Sequence, residues 1–280
     1  MNLAKVKIVS DSSSDVFSLS TVDFASVPLT IRTASKEFVD DSSLDTAEMV
    51  NHLLTYKGKS SSSCPNPNDW LESFGDAEFV FCITITAALS GSYNSACLAK
   101  RQYEEKYPER RVFVLNSRST GPEMSLIMDK MESDILAGKS FDEVTKGAIE
   151  YSKKTGLVFM LESLKNLANN GRVKPIVAKM AGLLGIRMVG KASDGGELEP
   201  LDKCRGERKA LECILTSIKS LGYNGGRVRI AHCLNEPAAN ELALMIKSEF
   251  KTAGIAICKC GGLCSFYAEK GGLLVGFEKA

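Results

Sequence analysis

Phe79-Val80-Phe81-Cys82-Ile83-Thr84-Ile85, running directly into Thr86-Ala87-Ala88-Leu89-Ser90-Gly91-Ser92, is the stretch on which the fold turns. A nearly continuous apolar run of this length reads as a strand covered on both faces, the pattern of a parallel sheet. Ser90 then stands where an N-cap is expected, before a helix through about Tyr103. Downstream, residues 111–115 read as a strand, Asn116 to Gly121 as a loop, and Pro122 as the first turn of another helix. Upstream, residues 5–10 and 27–31 read as strands. Asp45 and Glu48 have capping-box spacing before Met49, Leu53 and Leu54, so a helix is expected from about Thr46 to Tyr56, followed by a serine loop at residues 60–63. This alternation predicts an N-terminal lobe, residues 1–155, built on a doubly wound, mainly parallel sheet.

Beyond Gly138 the texture changes. A helix over 141–154, a strand over 157–161, the sharp turn Asn169-Asn170-Gly171-Arg172, and a loop then strand over 182–191 come first. The turn Asp194-Gly195-Gly196-Glu197 and a helix from after Arg205 to about Leu221 follow. Strands at 228–232 and 255–260 bracket a helix over 238–251, and 273–277 closes the chain as a strand. Residues 156–280 therefore read as an α+β lobe whose strands pair antiparallel. The two lobes together give an α/β protein with a ligand site expected between them.

The 280 residues are 44% hydrophobic and 25% charged with eight prolines, an ordinary globular composition able to bury a substantial core. Thirty-five Lys+Arg against 34 Asp+Glu leave a net charge of +1, which argues against a nucleic-acid footprint. No uncharged apolar stretch reaches the roughly 18–20 residues needed to span a bilayer, so no stable membrane insertion is expected. The first ten residues alternate Lys5 and Lys7 with Val6, Ile8 and Val9, a strand pattern unlike a signal-peptide core, and a cytoplasmic protein is expected.

Catalytic signatures are mostly missing. Gly58-Lys59-Ser60 and Gly138-Lys139-Ser140 resemble the end of a P-loop, but Leu53 and Ser133 stand where the earlier glycine is required. No GxGxxG occurs, so no dinucleotide site and no cofactor are expected, and no GxSxG occurs, which removes the nucleophile elbow of the α/β-hydrolases. His52, inside a helical pattern, and His232, at a strand end, read as structural or surface residues. The nine cysteines are scattered and read as reduced thiols. Cys258, Cys260 and Cys264 could offer three thiolates but lack the paired CxxC spacing of a structural zinc site, and no metal is expected.

What remains is a set of hydroxyl-rich loops: Ser10-Asp11-Ser12-Ser13-Ser14-Asp15, Ser62-Ser63-Cys64-Pro65, Ala88-Leu89-Ser90-Gly91-Ser92-Tyr93 and Asn116-Ser117-Arg118-Ser119-Thr120-Gly121. In a parallel sheet such loops gather at one edge, where hydroxyls and free helix N–H groups suit a carboxylate or phosphate. Serine and aspartate are equally what N-caps and turns require at these positions. Both readings stand.

The order and spacing of these segments resemble the DegV family of bacterial fatty-acid-binding proteins over essentially the whole chain. The resemblance is carried by Val9-Ser10-Asp11-Ser12-Ser13-Ser14-Asp15, Leu89-Ser90-Gly91-Ser92-Tyr93-Asn94-Ser95-Ala96 and Asn116-Ser117-Arg118-Ser119. In the second half it continues through Asn170-Gly171-Arg172-Val173, Asp194-Gly195 and Lys203-Cys204-Arg205-Gly206. It implies a two-lobed α/β fold holding a long-chain fatty acid, without chemistry of its own, for presentation to a separate kinase that makes an acyl phosphate. It further implies that Ser62, Ser63 and the Ser90-Gly91 turn hold the carboxylate and that Arg205 serves kinase docking. Tyr267-Ala268-Glu269-Lys270-Gly271 stands where the family has His-x-Gly-Pro-Gly. Tyr267 thus takes the histidine's place as a hydrogen-bonding group that is no cation near neutral pH. Thr86-Ala87 replaces a more serine-rich stretch and Cys64 replaces a polar residue. Candidate tail-lining residues are Phe159, Leu161, Met180, Leu184 and Ile186, with Leu157, Met160, Leu164, Leu183 and Met188 beside them. Two other readings stay open: an enzyme acting on a small anion with Ser90 as nucleophile, and a regulatory or scaffolding relative that has lost its ligand.

Overall fold

In a computed structural model, which describes residues 1–173, 177 and 185–280, the apolar run becomes β6 (Phe79–Thr84), fully buried from Val80 onward. It lies inside an all-parallel sheet of order β2 (Asp23–Val27), β1 (Val6–Asp11), β6, β7 (Arg111–Asn116). Side chains alternate across it. Ile8, Phe81 and Ile83 meet Met124, Ile127 and Met131 of α4 (Pro122–Leu136) on one face, while Val9, Val80 and Cys82 meet Trp70 and Phe74 of α2 (Pro67–Phe74) and Ala96 and Ala99 of α3 (Ser92–Lys106) on the other. Burial on both faces is why this strand reads as a run and not as an alternation.

Three local expectations are corrected. The strand expected over 27–31 is two strands in different sheets: β2 ends at Val27, Pro28 cannot donate to a ladder, Leu29 donates its N–H to Ser12 Oγ at 3.0 Å, and β3 (Thr30–Arg32) begins beyond. The serine loop contains β5 (Ser61–Ser63), which pairs antiparallel with β3, itself paired with β4 (Glu37–Val39). Serine carries little strand propensity, so this pairing is imposed by the partner strand. Ser90 does not cap directly: α3 starts at Ser92 with Gly91 as N-cap, and Ser90 Oγ accepts the Ser92 N–H at 3.2 Å. The Asp45 cap of α1 (Thr46–Thr55) forms as expected, accepting the Glu48 N–H at 2.9 Å.

The second half forms a six-stranded mixed sheet of order β10 (Leu198–Arg205), β9 (Ile186–Ala192), β8 (Thr155–Leu161), β13 (Leu273–Glu278), β11 (Arg227–His232), β12 (Gly254–Lys259). All neighbours are antiparallel except β11 and β12. That parallel pair corrects the expectation of antiparallel pairing: the intervening α8 (Glu236–Glu249) is a crossover connection. The edge strand β10 escapes the sequence reading because Glu199, Pro200, Asp202 and Lys203 carry the polarity of a loop, which is also how exposed edges are protected. Val158, Met160, Ile230 and Val275 pack beneath α8 and α7 (Glu207–Ser220). Leu157, Phe159, Leu161 and Leu274 face the other way.

The halves interlock. Gly276 on β13 lies so close to the first turn of α4 that a Cβ there would stand 2.5 Å from the Glu123 nitrogen. Buried Thr155 donates to Glu123 Oε1 at 2.8 Å. The short α9 (Gly262–Ala268) from the end of the chain is capped by carboxylates from its beginning: Asp40 accepts the Gly262 and Leu263 N–H groups at 2.6 and 2.9 Å, and Asp15 accepts that of Gly261 at 2.9 Å. Among the described residues no helix is long and apolar enough to cross a membrane.

Candidate functional site

Asp11, at the end of β1, fixes the loops that build the site. Its Oδ1 accepts Ser13 Oγ–H at 2.5 Å, and its Oδ2 accepts the Ile85 N–H at 3.0 Å and Ser92 Oγ–H at 2.6 Å. One buried carboxylate thus joins the ends of two neighbouring parallel strands to the start of α3. Burial pushes its pKa up against these hydrogen bonds. Ser95 Oγ–H donates to the Pro65 carbonyl at 2.8 Å, drawing the Ser62–Pro65 segment against α3.

These loops border a cavity of about 310 Å³ between the halves, within the range of roughly 300–1,000 Å³ usual for small-molecule sites. Ser62, Ser63, Ser90, Gly91 and Tyr267 all line it. The hydroxyls of Ser62 and Tyr267 are hydrogen-bonded at 2.7 Å. Burial raises the Tyr267 pKa, opposed by the Ser62 hydrogen bond and the nearby Arg172 guanidinium, so the phenol is neutral and able to donate. Cys64 also lines the cavity and sits against Gly91, where a Cβ would be 3.2 Å from its Sγ.

Two arginines to which the sequence assigns no role line the cavity among the described residues: Arg118, whose Nη1 donates to the Asp194 carbonyl at 3.4 Å, and Arg172. The Nη1 of Arg172 donates to the Asn170 carbonyl at 2.6 Å, and its buried Nε has no partner among the described residues. The signal for it was the Asn170-Gly171-Arg172-Val173 segment. A solitary arginine after a turn is otherwise an ordinary surface residue.

The remaining wall is apolar. Leu157, Phe159 and Leu161, alternate residues of β8, point into the cavity, while Met160 packs in the opposite core, as period-two geometry dictates. Ile186 does not line the cavity, because it stands at the far end of β9 from Ala192, which does. Leu164 and Met188 are ordinary core. Met180, Leu183 and Leu184 lie outside the described residues. Phe159 owes its position to Gly190, its cross-strand partner: a Cβ on Gly190 would lie 2.5 Å from the ring. Gly196, with φ of +82°, closes the turn at residues 194–197 onto the other half, and a Cβ there would stand 2.1 Å from Thr86 Oγ1.

Other singled-out residues lie elsewhere. Arg205 is exposed at the end of β10 and does not line the cavity. Neither His52 nor His232 lines it, and His232 Nδ1 accepts the Asn235 N–H at 3.3 Å. Cys258, Cys260 and Cys264 do not gather into a ligand set, since Cys264 lines the cavity while Cys258 is exposed on β12.

The profile described as "Uncharacterised protein, DegV family" matches residues 5–280. A DegV domain-containing protein of Streptococcus pneumoniae is 44% identical over 276 residues, covering 97% of this chain and 98% of that one. Among solved structures, a DegV family protein from Eubacterium eligens loaded with heptadecanoic acid is 43% identical, with a TM-score of 0.96 over 98% of this chain and 100% of that one. The Streptococcus pneumoniae Fatty Acid Kinase (Fak) B3 protein loaded with linoleic acid is 42% identical, with a TM-score of 0.96 over 99% and 100%. With its parallel sheet, its mixed sheet and the cavity between them, the chain belongs to the DegV family.

Proposed function

We propose that this protein binds a long-chain fatty acid between lobes formed by residues 1–155 and 156–280. The carboxylate is held by Ser62, Ser63, the Ser90-Gly91 turn and Tyr267, with Arg172 as countercharge, and the tail lies along Leu157, Phe159 and Leu161. The observation that carries this reading is one cavity joining a hydroxyl pair and a guanidinium whose buried Nε is unpartnered among the described residues to a wall of alternating apolar side chains. Each buried methylene contributes roughly 0.8 kcal/mol, so a tail of about 14 methylenes offers on the order of 11 kcal/mol before ordering costs. The tail supplies affinity and the polar groups set orientation.

The reading extends to presentation of the bound acid, in the cytoplasm, to a separate kinase that phosphorylates its carboxylate, with Arg205 on the docking surface. The description of one relative as a fatty acid kinase B3 protein supports it. A nucleophilic Ser90 is disfavoured, because its Oγ accepts the Ser92 N–H and neither histidine lines the cavity.

Displacement of a fluorescent fatty acid tests the binding claim: long-chain acids compete and short-chain acids do not. Acyl phosphate production on mixing with a fatty acid kinase tests presentation. Arg205→Glu slows production without changing lipid affinity. Production independent of this protein overturns the kinase role.

A further inference from the structure

Away from the cavity, three metal-ligating side chains converge on the edge of the six-stranded sheet. Asp202 and Cys204, two residues apart in the regular register of β10 beyond the shift between Pro200 and Asp202, share one face. The helix α7 packs across that face and brings Cys213 onto them. One ligand atom from each residue lies within 4.8 Å of the other two, and Cys213 Sγ is 4.0 Å from Asp202 Oδ2. Asp202 Oδ1 accepts the Lys203 N–H at 2.7 Å, which anchors the carboxylate and leaves Oδ2 on the thiol side. Cys204 is buried, Cys213 half-buried and Asp202 exposed, so the cluster has a dry floor and an open mouth.

We propose that Asp202, Cys204 and Cys213 form a binding site for a thiophilic divalent cation of the zinc type. Two sulfur donors and one carboxylate select such an ion over magnesium or calcium. Tetrahedral zinc with Zn–S bonds of about 2.3 Å holds two thiolates about 3.8 Å apart, so the present separations need a contraction of no more than about 1 Å. Both thiols lose their protons to the buffer as the cation binds. The fourth position faces solvent and Ser217, whose Oγ is 4.0 Å from Cys213 Sγ.

The test uses the full-length, reduced, chelator-stripped chain titrated with cobalt(II). The expected result is one cobalt per chain, a thiolate-to-cobalt charge-transfer band in the near ultraviolet, and its displacement by zinc. Cys213→Ala, at a half-buried position that tolerates truncation, loses the band. Asp202→Asn weakens binding with no change in the metal-free melting temperature. Three results overturn the site: no band in the unaltered chain, a band that survives Cys213→Ala and so arises from exposed thiols such as Cys64 or Cys258, or unchanged cobalt affinity in Asp202→Asn.

Discussion

The hydroxyls of Ser62 and Tyr267 meet at 2.7 Å across 205 residues of sequence, one on the edge of a three-stranded sheet and the other on the last helix. This contact joins the two halves at the polar end of the cavity. A carboxylate bound there would accept from both hydroxyls, each of which can reorient from its neighbour to the ligand. Tyr267→Phe removes one donor and leaves the ring in place. The expected effect is a loss of about 1 kcal/mol in binding, roughly fivefold in Kd, with little change in melting temperature. Displacement titration and thermal melting measured together check this.

Arg172 provides a sharper test, because its role depends on ligand charge. Arg172→Gln should weaken binding of a fatty acid by about 1.5–3 kcal/mol, the range for a hydrogen bond to a charged group. Binding of the corresponding fatty alcohol should change much less. Equal losses for acid and alcohol would show that the guanidinium packs against the tail and does not pair with the head group.

Gly190 sets the width of the cavity through Phe159. In Gly190→Ala the new methyl would meet the ring at 2.5 Å and the Glu199 carbonyl at 2.8 Å. Relief needs movement of the ring toward the cavity and a shift of the β10 backbone at Glu199. Overpacking of this kind costs about 1–3 kcal/mol of stability, and affinity for long-chain acids should fall with it. A paired Gly190→Ala, Phe159→Leu variant removes the ring clash but not the one with the Glu199 carbonyl, so it should recover binding in part while stability stays reduced, measured by the same titration and by thermal melting.

Much of this was legible in the sequence, and the boundary follows burial. The run at residues 79–85 announced a parallel strand because both of its faces are covered. The cap at Asp45 announced a helix because that signal is entirely local. β5 and β10 were opaque because a serine triplet and a Glu-Pro-Leu-Asp-Lys stretch become strands only through their partners. In the site, Ser62, Ser63, Ser90, Gly91 and Tyr267 all line the cavity, as do Leu157, Phe159 and Leu161, whereas Met160, expected beside them, points the other way because side chains alternate along β8. Arg172 could not be weighted from sequence, since its importance lies in a buried, unpartnered nitrogen that only the tertiary structure reveals.

The carboxylates that cap α9 predict the pH dependence. Burial, reinforced by the neighbouring Asp40 carboxylate, pushes Asp15 up to about 8, and burial pushes Asp40 up to about 6. Both values exceed the ordinary 3.8, so the folded chain holds these protons more tightly than the unfolded one. Their contribution to stability is therefore complete below about pH 4 and is lost as pH rises through about 6 for Asp40 and about 8 for Asp15. Asp15→Asn removes one titration. Its melting temperature relative to the unaltered chain should rise progressively between those limits, and a flat difference across that window would refute the assignment.

The most direct measurement is denaturing extraction of the purified protein followed by mass spectrometry of the released material, with reloading of the stripped chain by added fatty acids. Stoichiometric recovery of a long-chain fatty acid, together with a rise in melting temperature on reloading, is the expected result. Recovery of none, with no thermal response to any long-chain acid, would contradict the account.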